Sequence, residues 1–110
     1  MNLVTHVSDD KEGLGQVTAL IKRMESEKIV CVCDKIFKLP FEDTRIVKVE
    51  ADFTKSLQNL RDEMREKLKK VLSNDFEVAL SLACGKGKEH MALISALLNI
   101  PVGIRLVAFT

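Results

Sequence analysis

This sequence has no surplus charge of one sign: 17 lysines and arginines stand against 16 aspartates and glutamates, a formal net charge of +1. A general grip on duplex DNA rests on many phosphate contacts and so on a basic surface. Such binding by the chain as a whole is excluded, and any positive field must be local. Cysteine is scarce and odd in number, three in all, two of them at Cys31 and Cys33. That is no disulfide framework and fits a reducing compartment. No run of about 18 apolar residues exists, the length a membrane-crossing helix needs. The start MNLVTHVSDD has the pattern of neither a signal peptide nor a basic transit peptide. The expectation is a soluble, cytoplasmic protein with no membrane partner. No internal repeat, low-complexity stretch or linker divides the chain. Its 110 residues, 46% of them hydrophobic, are expected to form one domain with its own core.

What is present is organised around Phe76 to Leu98, FEVALSLACGKGKEHMALISALL. The run with Val78, Ala79, Leu80, Leu82 and Ala83 reads as a strand buried on both faces, as in the middle of a parallel sheet. It breaks at Gly85-Lys86-Gly87-Lys88. From Glu89 the period changes, and Met91, Ile94, Leu97 and Leu98 share a helical stripe, with Ala92 and Ala96 permitting close approach to a sheet. A turn of this kind offers free backbone N–H groups at a helix N-terminus and sets two ammonium groups beside them, so a phosphate or other anion is its natural guest. The plain alternative is a tight turn whose glycines only bend the chain and whose lysines only meet water.

The remaining elements follow in order. Asn2 to Val7 is a first strand, and Ser8 to Gly13 a polar turn before a helix with Leu14, Val17, Leu20, Ile21 and Met24 on one face. Lys28 to Cys33 is a second, internal strand that carries Cys31 and Cys33 on one face. With no second Cys or His pair at metal spacing, the cysteines read as buried small hydrophobes, and no metal or other cofactor is expected. Asp34 to Thr44 is a loop too apolar at Ile36, Phe37, Leu39 and Phe41 to be solvated. Arg45 to Glu50 reads as an edge strand whose direction is open, because about ten residues can form either a hairpin or a crossover. Asp52 or Thr54 caps a long helix to about Ser73, with Leu57, Leu60, Met64, Leu68 and Val71 inward. Its outer charges form a solvated face with pairs such as Glu63 with Lys67 and Glu66 with Lys70. Val102 to Phe109 supplies the last strand.

The order β-α-β-β-α-β-α-β predicts an α/β, three-layer, Rossmann-like fold with a largely parallel five-stranded sheet. In such sheets ligands sit beyond the carboxyl ends of the strands, where the strand order reverses. If the first strand neighbours the Phe76 strand there, the turns Ser8 to Gly13 and Cys84 to Glu89 share one crevice.

At these two loops the chain resembles the CRISPR-associated Rossmann fold (CARF) domains, sensors of cyclic oligoadenylates. Those domains carry one ligand loop after the first strand and a second after the fourth, where a small or hydroxyl residue, glycines and a basic residue precede a helix with an early Met. Here the loops are Val7-Ser8-Asp9-Asp10-Lys11 and Cys84-Gly85-Lys86-Gly87-Lys88-Glu89-His90-Met91. Three departures stand out: Cys84 replaces the family's Ser or Thr, the spacing from Lys88 to Met91 is one longer, and the first loop is unusually acidic. The resemblance implies a cyclic-oligoadenylate ligand, or another anionic nucleotide, held by Ser8, Asp9, Asp10, Lys11, Cys84, Gly85, Lys86, Gly87 and Lys88. It also implies a homodimer, whose twofold axis would offer two copies of each loop to a symmetric ring. Some members cleave their ligand without a metal, through attack of a ribose 2′-OH on the adjacent phosphate. That activity would make Lys86 or Lys88 the charge stabiliser and His90 or His6 the acid or base.

Two other classes stay open. Gly85-x-Gly87-Lys88 lacks the upstream glycine spacing and the following Ser/Thr of a P-loop, so a bound mononucleotide would not be hydrolysed in that manner. The chain is otherwise a non-catalytic subunit whose Ile36 to Phe41 loop meets a partner.

Overall fold

The computed structural model describes residues 1–109. Five strands and three helices follow the expected order: β1 (Asn2–His6), α1 (Lys11–Arg23), β2 (Ile29–Asp34), β3 (Ile46–Ala51), α2 (Leu57–Val71), β4 (Glu77–Ser81), α3 (Gly87–Leu98) and β5 (Gly103–Leu106). They build one five-stranded sheet in the order β3-β2-β1-β4-β5. Every neighbouring pair is parallel, which settles the direction of β3 and makes the sheet wholly rather than largely parallel.

The apolar alternation of the strands divides the core into two layers. Leu3, Val7, Ile29, Cys31 and Ala79 face α1, where Val17, Leu20 and Ile21 cover them. Val4, Val30, Val32, Val49, Val78 and Leu80 face the other way, onto Leu60, Met64 and Leu68 of α2 and Leu93 and Leu97 of α3. The fold is therefore three-layered, with one helix on the first face and two on the second. No helix of the described residues is long and apolar enough to cross a membrane.

The crossover from β2 to β3 contains no helix. Its Phe37, Leu39 and Phe41 pack on the α1 layer in place of one, which is why the loop is so apolar. Ile36 is the exception, 87% exposed. The loop is pinned by Arg45, whose guanidinium donates to the carbonyls of Ile21 (2.9 Å) and Met24 (3.1 Å) at the C-terminus of α1 and to Asp43 (2.8 Å). The last turn of a helix leaves carbonyls without partners, and a cation satisfies them with charge as well as hydrogen bonds.

Four local expectations are corrected. Phe76 stands before β4 and is 94% exposed, because the strand begins to pair only at Glu77. The buried face of α3 is Ala92, Leu93, Ala96 and Leu97, not a stripe through Met91 and Leu98, which are 58% and 71% exposed. The two alanines bring the helix axis close to the sheet, and that rotates the larger side chains outward. Ser56 caps α2, its hydroxyl accepting from the Asn59 N–H (3.3 Å), while Asp52 forms an Asx-type turn with Thr54. Glu63 does pair with Lys67 at 2.9 Å, whereas Glu66 lies beside Arg65 at 3.5 Å rather than Lys70.

Where β1 and β4 part, α1 packs hard on the loop after β4. A Cβ built on Gly13 would stand 2.5 Å from the Ala83 carbonyl and 2.7 Å from the Cys84 sulfur, whereas one on Gly15 would meet nothing within 4 Å. Gly13→Ala is therefore expected to destabilise the fold by about 3 kcal/mol through overpacking. Gly15→Ala, an open helical site, should stabilise it by about 0.5–1 kcal/mol. Urea unfolding of both variants checks the pair; equal effects would contradict the close contact.

Candidate functional site

The switch point of the sheet lies between β1 and β4, which pair from Asn2↔Val78 to Thr5↔Ser81. From it the chain leaves β1 toward α1 on one face and leaves β4 toward α3 on the other. Ser8 to Lys11 and Cys84 to Glu89 thus meet at one end of the sheet, as the strand order requires.

Cys84 joins them. Its side chain is fully buried in the α1 layer, and its sulfur accepts the Ser8 backbone N–H. Burial pushes its thiol up from the ordinary value, with the Ser8 N–H partly opposing, so it remains a protonated packing group. Asp10 is likewise engaged. Its carboxylate caps α1 by accepting from the Gly13 N–H at 3.3 Å. Asp9 and Lys11 are exposed and Ser8 half-buried.

On the β4 side, Gly85 takes φ +97, a conformation that L side chains rarely adopt. The positive φ favours glycine, and a Cβ there would also stand a tight 3.1 Å from the ring of His6. The chain then enters α3 through Lys86 in an extended conformation (φ −117, ψ 179), with no side chain capping the helix. The first intrahelical bond is from the His90 N–H to the Lys86 carbonyl (3.1 Å), which leaves the amides of Gly87, Lys88 and Glu89 at the open end. Lys86, Gly87 and Lys88 are exposed. Lys88 reaches back to donate to the Phe53 carbonyl (3.0 Å) and straps the loop between β3 and α2. His90 does not simply meet solvent. Its Nε2 lies 2.6 Å from the Cys84 carbonyl, an acceptor, so Nε2 carries the proton and only Nδ1 is left as a base.

Two cavities flank this end of the sheet. One, of about 440 Å³, lies on the α1 side among Gly13, Gln16, Leu82 and Leu106. The other, of about 380 Å³, lies on the α3 side and brings together His6, Ser8, Asp9, Asp34, Phe53 and Glu89. Asp34 and Phe53 carry no signal in the sequence, since one ends β2 and the other follows β3, and only the sheet register sets them beside β1. Among the described residues, no group of three or more His, Cys, Asp and Glu side chains is placed to hold a metal ion.

His6, at the end of β1, is 3% exposed, and neither ring nitrogen has a hydrogen-bond partner. The Phe53 ring meets it edge-on at 4.9 Å. Desolvation lowers its pKa to about 4, against a smaller raising effect of Glu89.

Compared with protein-family models, curated proteins and solved structures, the chain matches none.

The His6 environment predicts a specific acid sensitivity. Above the ordinary histidine pKa of 6.5 neither state is protonated there; between 6.5 and about 4 the unfolded chain binds a proton that the folded chain refuses. Stability therefore falls as pH falls through that window, by roughly 3 kcal/mol in all. Asp43 and Glu63, both held down to about 2 by hydrogen-bonded cations, lose their contributions only at lower pH. Urea unfolding from pH 7 to 4 should show the slope in wild type and lose most of it in His6→Phe. An unchanged slope in the variant would contradict the burial of a neutral imidazole.

Proposed function

We propose that the chain binds a phosphate-bearing nucleotide at the switch point, with phosphate oxygens on the amides of Gly87 and Lys88 and the ammonium group of Lys86 beside them, joined by that of Lys88 when it leaves the Phe53 carbonyl. The observation that carries this reading is the open N-terminus of α3. Asp10 closes α1 and Ser56 closes α2, whereas α3 begins without a side-chain cap, between two exposed lysines, at the carboxyl end of an internal strand. Unpaired N–H groups and the positive end of the helix dipole favour an anion at such a position. The resemblance of the two loops to CRISPR-associated Rossmann fold domains makes cyclic oligoadenylate the ligand of choice. A symmetric ring calls for a homodimer that brings two α3 termini together. Cleavage, where it occurs, is metal-independent: the ribose 2′-OH loses its proton and attacks the adjacent phosphorus, and the P–O bond to the next nucleotide's 5′-oxygen breaks, that oxygen leaving with a proton. Lys86 or Lys88 would stabilise the developing charge, and His90, whose Nδ1 is the nitrogen left free to accept a proton, or His6 would act as acid or base.

A second reading, as a protein-interaction subunit, is favoured by a different surface from the loop Ile36 to Phe41, whose phenylalanines are packed on the core. Met91 and Leu98 on α3 and Leu106 on the edge strand β5 are all exposed. Those are the side chains a partner would cover.

Calorimetric titration with cyclic tetra-adenylate tests the first reading. Lys86→Ala/Lys88→Ala should keep the fold, since neither lysine is buried, and weaken binding by about 1.5–3 kcal/mol for each charge-assisted hydrogen bond lost. Wild-type affinity should fall as salt rises, because exposed ionic contacts are screened over about 10 Å at 0.1 M. Equal affinities of wild type and double variant would reduce the glycine-lysine turn to a turn. Light scattering at tens of micromolar should give a dimer, and a monomer with and without ligand would remove the symmetric arrangement.

A further inference from the structure

The cavity of about 380 Å³ on the α3 side has a chemistry opposite to that of the helix terminus next to it. Its charged lining is of one sign: Asp9 from the loop after β1, Asp34 from the end of β2 and Glu89 from the first turn of α3. Among the described residues none of these three carboxylates takes part in an ion pair, although most acidic groups on α2 do. The nearby cation, Lys88, is turned to the Phe53 carbonyl. Phe37 and Phe53 contribute aromatic surface, whose faces also favour positive charge.

His6 lines this cavity at the end of β1, 3% exposed, with both ring nitrogens unpartnered. A buried polar group without a partner is costly, and proteins carry few of them. Held neutral by burial, the ring keeps one nitrogen lone pair as an acceptor at neutral pH. Carboxylates, an imidazole lone pair and aromatic faces are all acceptors. An anion is repelled here, and a group rich in N–H bonds is welcomed.

We propose that this cavity binds the amino group of a small ligand, either an aliphatic ammonium or the exocyclic amine of a nucleobase, with Glu89 and Asp34 as its acceptors and His6 at its base. The ammonium source stands independently of the nucleotide reading. The nucleobase source rests on that reading: a phosphate on α3 and an amine in the cavity would sit on either side of Gly85.

Titration of the full chain at low salt with spermidine, AMP and IMP separates the two sources, since AMP and IMP differ at the base by the amine and its proton pattern. For an ammonium site, spermidine binds, and Glu89→Gln and Asp34→Asn each weaken it about tenfold. Glu25→Gln, at the opposite end of β1, leaves that binding unchanged. For a nucleobase site, AMP binds about tenfold more tightly than IMP, and the ratio falls to about one in Glu89→Gln. Loss of AMP and IMP binding alike in Lys86→Ala/Lys88→Ala, with their ratio unchanged, assigns the phosphate to α3 and keeps the amine in the cavity. The proposal is overturned if spermidine responds equally to Glu25→Gln and Glu89→Gln while AMP and IMP bind equally, or if none of the three binds.

Discussion

The parallel pairing of β1 with β4 is the constraint on which the rest depends. Parallel neighbours cannot be joined by a hairpin, so each crossover must travel along a face of the sheet. β1 is the central strand, and the chain adds β2 and β3 on one side of it before returning to add β4 and β5 on the other. At that reversal the following helices lie on opposite faces, and the two loops open away from each other. At its base the seam is closed, where Gly13 admits the Ala83 carbonyl and the Cys84 sulfur. A larger residue at 13 would force α1 off the sheet and part the loops that define the site.

The electrostatics of the site follow from how each helix is started. Asp10 and Ser56 use side chains to satisfy the first amides of α1 and α2. Those two termini are filled from within. α3 begins at Lys86 after a glycine with positive φ, and it has lysines rather than an acceptor at its start. The same short segment then presents Glu89 to the neighbouring cavity, so one helical turn offers donors on one side and an acceptor on the other. His6 lies beneath both, against Gly85 and Phe53. Its burial ties the site to the stability of β1 itself.

Much of this was legible in the residues. The apolar runs at Asn2 to Val7, Lys28 to Cys33 and Phe76 to Ala83 named three internal strands, and the break at Gly85 marked the turn into α3, because period and glycine act locally. What escaped depends on contacts distant in sequence. The direction of β3 is open in the sequence, since ten residues without a helix fit either connection, and the parallel register of β2 with β3 settles it as a crossover whose Phe37 and Phe41 pack on the core. The inward face of α3 was misplaced because alanine counts little in a hydrophobic stripe yet permits the closest approach. Cys84 and Asp10 read as ligand groups; Cys84 is buried in the α1 layer and Asp10 caps α1, and neither engagement carries a signal in the sequence. His6 gave no sign of its unpartnered ring, which arises from Phe53 and Gly85, residues 47 and 79 positions away in the chain.

An NMR titration of ¹⁵N-labelled protein with cyclic tetra-adenylate is the most direct test of a phosphate site at the head of α3. A ligand seated there moves the amides of Gly85, Gly87, Lys88 and Glu89 first and furthest, with smaller shifts at His6 and Ser8. Shifts gathered instead on the lysine-rich outer face of α2, or none at millimolar ligand, would contradict it.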